Sequence, residues 1–189
     1  ITAPTVTSKV YDGTTDATSC VTKGTVSGIF AMDSGVSVAI ATATFNTADA
    51  WNDKIIAVTY SMTGDNNNNY IKPVDSTITS ATITPATITY NAVGYSNIYD
   101  GSAHGITVNN ITTKGSQSAT ITYCSTSNGT YNATELKYSD CVTQKVYFKI
   151  TAPNHNEITD SATVTIAKAT YDMSGVSFVD ASKVYNGEV

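Results

Sequence analysis

The sequence predicts an all-β protein made of repeated modules, and three observations support this prediction. First, 33 of the 189 residues are threonine; threonine, valine and isoleucine favour strands, whereas the abundant Asn, Ser and Gly favour turns. Second, segments such as 37–45, 54–60 and 144–150 alternate apolar and polar residues, as strands with one buried face do. Third, the sequence repeats itself, and no segment sustains a helical period.

A five-residue motif opens each repeat. It reads KVYDG at 9–13, NIYDG at 97–101 and KVYNG at 183–187, with its centre at Tyr11-Asp12-Gly13, Tyr99-Asp100-Gly101 and Tyr185-Asn186-Gly187. The three tyrosines are 88 and 86 residues apart. A period of this length is typical of an array of extracellular β-domains.

Two further markers follow the opening motif in the same order. Residues 80–90 (SATITPATITY) are echoed by residues 161–171 (SATVTIAKATY), and an Asn-rich turn precedes each closing strand, at 65–70 and at 153–157. Three markers in one order predict two complete repeats, followed by the opening strands of a third. The predicted boundaries are 1–86, 87–168 and 169–189.

The Tyr-Asp-Gly motif is predicted to be architectural. Glycine supplies a positive φ or a close approach of two chains, which other residues resist. Asp or Asn before it bonds to its own backbone two residues on and holds the turn. Tyrosine buries its ring while its hydroxyl reaches a polar partner near the surface.

Composition excludes two classes of partner. The formal net charge is -5, and all the basic residues are lysine, so the bidentate guanidinium contacts typical of nucleic-acid recognition are absent. No apolar run is long enough for a membrane span, and no signal segment opens the chain. We therefore expect no nucleic acid and no direct membrane insertion, and we expect targeting signals to lie elsewhere in a longer protein.

Catalytic chemistry finds no support in the sequence. The histidines, His104 and His155, lie at opposite ends of the second repeat, and no Gly-x-Ser-x-Gly elbow occurs. Nucleophilic catalysis requires a nucleophile beside an oriented base. The sequence therefore predicts that the protein is not an enzyme.

The cysteines suggest one disulfide. Cys124 ends a predicted strand and Cys141 precedes the next long one, so a hairpin-like return would bring the two together. Such a bridge would stabilise the fold by about 3 kcal/mol. Cys20 is then either a small buried apolar residue or half of a bridge to another chain, and we favour the first.

Three further features carry predictions about ligands and modifications. No cofactor is predicted; the alternative is calcium, because Asp65 and the four asparagines after it supply oxygen ligands, although Asn runs also make turns without a metal. Trp51 in its polar stretch is either a lid over the end of a core or a sugar-stacking platform, and we favour the lid. The glycosylation sequons are Asn110, Asn128 and Asn132, which would carry glycans in a source that glycosylates secreted proteins.

The first repeat resembles the YDG-type repeat of bacterial surface proteins, through KVYDGTTDAT at 9–18 and the closing run from Ala81. The second resembles the MBG-type, or bacterial Ig-like, repeat through residues 99–104, 120–123 and 146–156. The resemblance implies tandem Ig-like antiparallel β-sandwiches. A β-grasp-like module is the alternative fold.

The resemblance also implies a place on the cell surface. We expect a secreted or surface-bound, non-enzymatic structural module of a stalk, adhesin or extracellular filament, which assembles end to end through strand addition. Its partners would be neighbouring repeats or copies of itself. The alternative is an adhesin module that binds carbohydrate or a host surface protein through Trp51 or exposed tyrosines.

Overall fold

The computed structural model describes residues 1–177 and 184–187, and within them the predicted all-β class is confirmed. No α-helix occurs in these ranges, only the short 3-10 helices Ala31–Asp33 and Asn67–Asn69. None of the helices in the described part of the chain could cross a membrane. The first module contains β1 (Thr5–Val6), β2 (Lys9–Val10), β3 (Val21–Thr22), β4 (Ser37–Phe45), β5 (Trp51–Thr63) and β6 (Ser76–Thr84). The second contains β7 (Thr89–Val93), β8 (Tyr95–Ile98), β9 (His104–Gly105), β10 (Thr107–Thr112), β11 (Thr120–Cys124), β12 (Lys137–Tyr138), β13 (Val142–Thr151) and β14 (Ile158–Ala167).

The two modules share one topology. The main sheet of the first has the order β2-β6-β5-β4, and that of the second has the order β8-β14-β13-β11. In each, the short opening strand runs parallel to the closing strand, and the other pairs are antiparallel. Each module also has a two-stranded antiparallel sheet, β1-β3 in the first and β7-β10 in the second. Strands β9 and β12 form an additional pair in the second module.

Each module has its own hydrophobic core. In the first, Val21 of β3 joins Phe45, Ile56 and Ile83 of the main sheet in one buried cluster. The cluster of the second module begins at Ile88 and extends to Ile166. The predicted boundary between residues 86 and 87 falls between the two clusters. Alternate side chains of the central strands β5 and β13 are buried in these cores, as the alternating sequences predict.

The predicted disulfide between Cys124 and Cys141 is corrected by the strand register. Cys124 lies opposite Tyr147, and the start of β13 at Val142 is about 16 Å further along that strand at the usual rise per residue. Cα atoms joined by a disulfide are at most about 7 Å apart. All three cysteines are free, with Cys20 and Cys124 buried and Cys141 exposed. The burial of Cys20 agrees with its predicted role.

The predicted third repeat lies partly outside the described residues. Residues 169–177 and 184–187 form no strand, and residues 178–183 and 188–189, which include the Lys183 of the motif, are not described. Tyr185 is exposed, and Gly187 has a φ of 80°. This matches the 80° of Gly101 and the 84° of Gly13.

Candidate functional site at the joint between the modules

The turn of the first Tyr-Asp-Gly motif is held by its aspartate. The Asp12 Oδ1 atom accepts hydrogen bonds from the Thr14 backbone N–H and hydroxyl, each at 2.8 Å. The Lys9 ammonium lies 2.9 Å from the same oxygen. Gly13 follows with a positive φ. The turn therefore has the construction that the sequence predicts for it.

The second motif is built in the same way with different partners. The Asp100 Oδ1 atom accepts a hydrogen bond from the Ser102 backbone N–H at 2.8 Å, and the His104 Nε2 atom lies 2.9 Å from it. The His104 ring is also stacked on Tyr95, with their centroids 3.9 Å apart. His104 thus supports a turn.

These contacts shift the pKa values of both motif carboxyls. The His104 hydrogen bond, helped by the Ser102 N–H, holds the pKa of the Asp100 carboxyl below its ordinary value of 3.8. Burial raises the pKa of Asp12, but the hydrogen bonds from Lys9 and Thr14 outweigh it, so that pKa is also lowered. Each ionised carboxylate is therefore favoured in the folded chain over the unfolded one.

We expect the chain to lose stability in acid. A lowered folded-state pKa stabilises the fold at pH values above the unfolded value of 3.8, and this contribution disappears as the pH falls through the folded value, which lies below 3.8. The urea concentration at the unfolding midpoint, measured from roughly pH 6 to pH 2, should decrease at pH values below about 3.8. Asp100→Asn should flatten this fall, whereas Asp65→Asn should leave it unchanged. An equal acid dependence in all three proteins would contradict the expectation.

The first module meets the second at Tyr11. The Gln117 Nε2 atom donates a hydrogen bond to the Tyr11 hydroxyl at 2.9 Å, and the His155 ring meets the Tyr11 ring edge-on, with 5.5 Å between centroids. Tyr11 is 3% exposed, whereas Tyr99, its counterpart in the second module, is 45% exposed. Its hydroxyl therefore has the polar partner predicted for the motif, and the next module supplies it.

Two glycines let the backbones touch beside Tyr11. A Cβ atom built on Gly13 would overlap the Gly115 Cα atom, and one built on Gly115 would lie 2.6 Å from the Tyr11 hydroxyl oxygen. Gly115 also has a positive φ of 61°. Side chains at these two positions would separate the modules, so the contact requires glycine on both sides.

Asn154 connects three points at which the two modules meet. Its Oδ1 atom accepts a hydrogen bond from the Ala50 backbone N–H at 2.9 Å, and its Nδ2 atom donates to the Asp49 carboxylate at 3.4 Å. Its carbonyl accepts from the Ala86 N–H at 3.0 Å, while the Ala86 carbonyl accepts from the Asn156 N–H at 2.9 Å. The β13–β14 turn is thereby pinned to both the β4–β5 loop and the end of the first module.

His155 connects the 113–119 loop of the second module to its β13–β14 turn. Its Nε2 atom accepts a hydrogen bond from the Lys114 backbone N–H at 2.8 Å, so the ring proton lies on Nδ1, 2.6 Å from the Pro153 carbonyl oxygen. Both nitrogens are used, and the ring is fixed against Tyr11. We call the contacts of Tyr11, Gly13, Asp49, Ala50 and Ala86 with Gly115, Gln117 and residues 154–156 the joint.

The residues that carry the first Tyr-Asp-Gly motif match a known domain. Residues 1–80 match the YDG domain. No curated protein matches the chain in a sequence comparison. The YDG domain thus covers the first module from its start to the middle of β6, including Tyr11, Gly13, Asp49 and Ala50.

The remaining predicted site residues lie apart from one another. His104 supports the turn of the second Tyr-Asp-Gly motif, and His155 is part of the joint. The sequon residues Asn110, Asn128 and Asn132 are exposed. The Asn-rich turn of the YDG domain bonds to the β3–β4 loop, since the Asn66 amide and the Tyr70 hydroxyl both donate to the Asp33 carboxylate. Among the described residues, no group of three His, Cys, Asp or Glu side chains is placed to hold a metal ion.

Trp51 and Lys54 differ from what the sequence suggests. Trp51 is 75% exposed and is the first residue of β5, so it does not cover a core as the predicted lid would. Lys54 is only 5% exposed, with its Nζ atom bonded to the Thr47 hydroxyl. Both line a cavity of about 510 Å³ together with Asp49 and Asn154 of the joint. No sequence motif marks Gln117, Gly115 or Lys54; only the Asn-rich marker points to Asn154 and His155.

Proposed function

We propose that this chain is a non-enzymatic structural part of an extracellular surface array, in which consecutive modules are held in a fixed orientation. The observation that carries the proposal is the joint. Modules of one chain move relative to each other by default, unless the interface between them holds them in one orientation. Here the interface combines bonds to backbone, an aromatic contact and a glycine pair that no larger residue could replace.

The short connection between the modules supports a fixed orientation. Strand β6 ends at Thr84 and β7 begins at Thr89. Ala86, midway between them, is buried and bonded on both sides to the β13–β14 turn. A connection without free residues cannot act as a flexible linker. A spacer that must hold a distal domain away from a surface benefits from this stiffness.

The extracellular location is supported by composition and by the resemblance of the repeats. Only 13% of the residues are charged, and threonine, serine and asparagine are most of the polar residues. The YDG domain over residues 1–80 is consistent with a bacterial surface protein. Within such a protein the chain would serve a stalk, adhesin or filament, with neighbouring repeats as its immediate partners and strand addition at a sheet edge as one route to assembly.

Small-angle X-ray scattering tests the fixed joint. We expect one rigid extended particle for the natural chain, and a broader distribution of dimensions for the variant Gln117→Ala/His155→Ala. That variant loses the aromatic contact, worth about 1 kcal/mol. It also loses the hydrogen bonds of His155 with the Lys114 N–H and of Gln117 with the Tyr11 hydroxyl, each worth about 0.5–1.5 kcal/mol. Gln144→Ala/His104→Ala, which removes the other glutamine and histidine outside the joint, is the matched control.

Two results would contradict the rigid spacer. One is a flexible ensemble for the natural chain, and the other is identical scattering from the joint variant and the control variant. Circular dichroism confirms that each variant remains folded. The measurements are made at low concentration, so that any association between molecules does not contribute.

A second candidate function, carbohydrate binding, is favoured by one observation, the exposure of Trp51. An exposed indole beside carboxylates and amides suits a sugar ring, whose faces stack and whose hydroxyls donate hydrogen bonds. The cavity beside Trp51 contains Asp49, Asn52, Asp53 and Asn154. Because Trp51 is the only tryptophan, its fluorescence should shift when a bound sugar stacks on it. Unchanged fluorescence across a panel of neutral and acidic oligosaccharides would exclude this function.

A further inference from the structure

The first module exposes an apolar face at the end far from the joint. It is formed by the β3–β4 loop (23–36) and the β5–β6 loop (64–75), which we call the lower face. A groove of about 450 Å³ on it is lined by Ile1, Val26, Ile29, Met62, Ile71 and Val74. Ile71 is 97% exposed, and Phe30, Met32 and Val74 are also strongly exposed. A cluster of large exposed apolar side chains marks a surface that another protein covers.

The second module has a corresponding face, and its contacts show what kind of surface packs against such a face. Its corresponding loops are 113–119, after β10, and 152–157, between β13 and β14. In the second module the Lys114 N–H donates to the His155 ring; in the first, the Phe30 N–H donates to the Tyr70 hydroxyl at 3.0 Å. His155 and Tyr70 both belong to the Asn-rich marker of their repeat. The two faces are therefore braced alike, and the one in the second module covers a Tyr-Asp-Gly turn.

Among the described residues, the opposite end of the second module carries a matching surface in an exposed form. Tyr99 is 45% exposed, against 3% for Tyr11 beneath the second module. A Cβ atom on Gly101 would meet nothing within 4 Å, whereas Gly13 is in contact with Gly115. Both glycines have nearly the same positive φ. The Tyr99–Gly101 turn thus resembles the motif side of the joint, except that none of the described residues packs against Gly101 within 4 Å.

We propose that the Tyr99–Gly101 turn of one copy of this chain docks on the lower face of a second copy, head to tail. Tyr70 and the β3–β4 loop take the places that His155 and the 113–119 loop occupy in the joint, and Ile71 and Val74 cover the exposed ring of Tyr99. The proposal extends the fixed joint of the proposed function from one chain to two. Because the two surfaces are different and lie at opposite ends, the contact does not close and leads to linear chains.

Sedimentation velocity over a wide concentration range tests this docking. We expect the natural chain to form oligomers that lengthen as its concentration approaches about 1 mM, the range of weak interfaces. Ile71→Asp and Tyr99→Ala should each weaken the association at least about tenfold. Ile55→Ala, which removes an exposed isoleucine of β5 at the joint end of the first module, should leave it unchanged. These side chains are all substantially exposed, so the variants are expected to fold.

Mixing the two variants distinguishes head-to-tail docking from other contacts. The Ile71→Asp chain keeps its Tyr99 turn and the Tyr99→Ala chain keeps its lower face, so an equimolar mixture should form dimers that do not grow further. A natural chain that stays monomeric at about 1 mM, or a mixture that stays monomeric, would overturn the proposal. So would a natural dimer that does not lengthen. None of these results affects the rigidity measured by scattering at low concentration, so the two proposals fail separately.

Discussion

Phe148→Ala should destabilise the second module by about 3–5 kcal/mol, because removing a fully buried phenylalanine loses its transfer energy and leaves a cavity. Phe148 lies in the middle of β13, is completely buried and meets the Tyr90 ring edge-on at 5.7 Å between centroids. Its core cluster is separate from that of the YDG domain. The loss should therefore be confined to the second module, apart from the contacts of the joint.

Hydrogen exchange read by mass spectrometry separates the two modules in this test. Amides of β13 and β14 should exchange faster in Phe148→Ala, while those of β4, β5 and β6 keep most of their protection. Phe45→Ala is the matched control, since Phe45 is buried to the same degree in the YDG domain; it should produce the opposite pattern. Equal loss of protection in both modules from either substitution would show one cooperative unit and contradict the expectation.

Gly13→Ala should open the joint, and Gly101→Ala should not. Both glycines have nearly the same positive φ, 84° and 80°, so alanine imposes similar backbone strain of about 1–2 kcal/mol at either position. Only at Gly13 does the added methyl group meet the backbone of Gly115, with an overpacking cost of about 1–3 kcal/mol. The difference between the two variants isolates the contact from the strain.

Chemical unfolding and scattering together measure that difference. The free energy of unfolding should be lower for Gly13→Ala than for Gly101→Ala, and only Gly13→Ala should broaden the distribution of particle dimensions. If the two variants have equal stability and equal scattering, then the modules touch at Gly13 and Gly115 without depending on that contact. The proposed rigid spacer would then lose its main support.

The strand pattern was predictable where alternation is regular and was missed where it breaks. The predicted strand 37–45 coincides with β4 (Ser37–Phe45), and 144–150 lies within β13. Strand β5, however, begins at Trp51 inside a stretch predicted as a polar loop. The register between β5 and β6 shifts on both sides of Lys54, and Asp53 has a positive φ of 53°. A bulge of this kind breaks the period of two on which the prediction depends.

The pairing register between strands that are distant in the sequence could not be predicted from the sequence either. The opening motifs are nearly identical, yet Lys9 pairs with Ile83 while Asn97 pairs with Ile166. Ile83 corresponds to Val164 in the repeat alignment, so the second pairing is displaced by two residues. A displacement of two keeps every side chain on its face, so both registers satisfy the same apolar pattern. The incorrect disulfide has the same origin, because the position of Cys141 depends on the β11–β13 register.

The amino-acid sequence alone determined the class of the fold, the repeat and the construction of the Tyr-Asp-Gly turns, since these depend on strand propensity, periodicity and the local bonding of Asp12 and Gly13. The tertiary structure alone decided what covers each turn. Tyr11 is buried and Tyr99 is half-exposed although their motifs match, because burial depends on Gln117 and His155, which lie more than 100 residues from Tyr11. Contacts of that range leave no local pattern in a sequence.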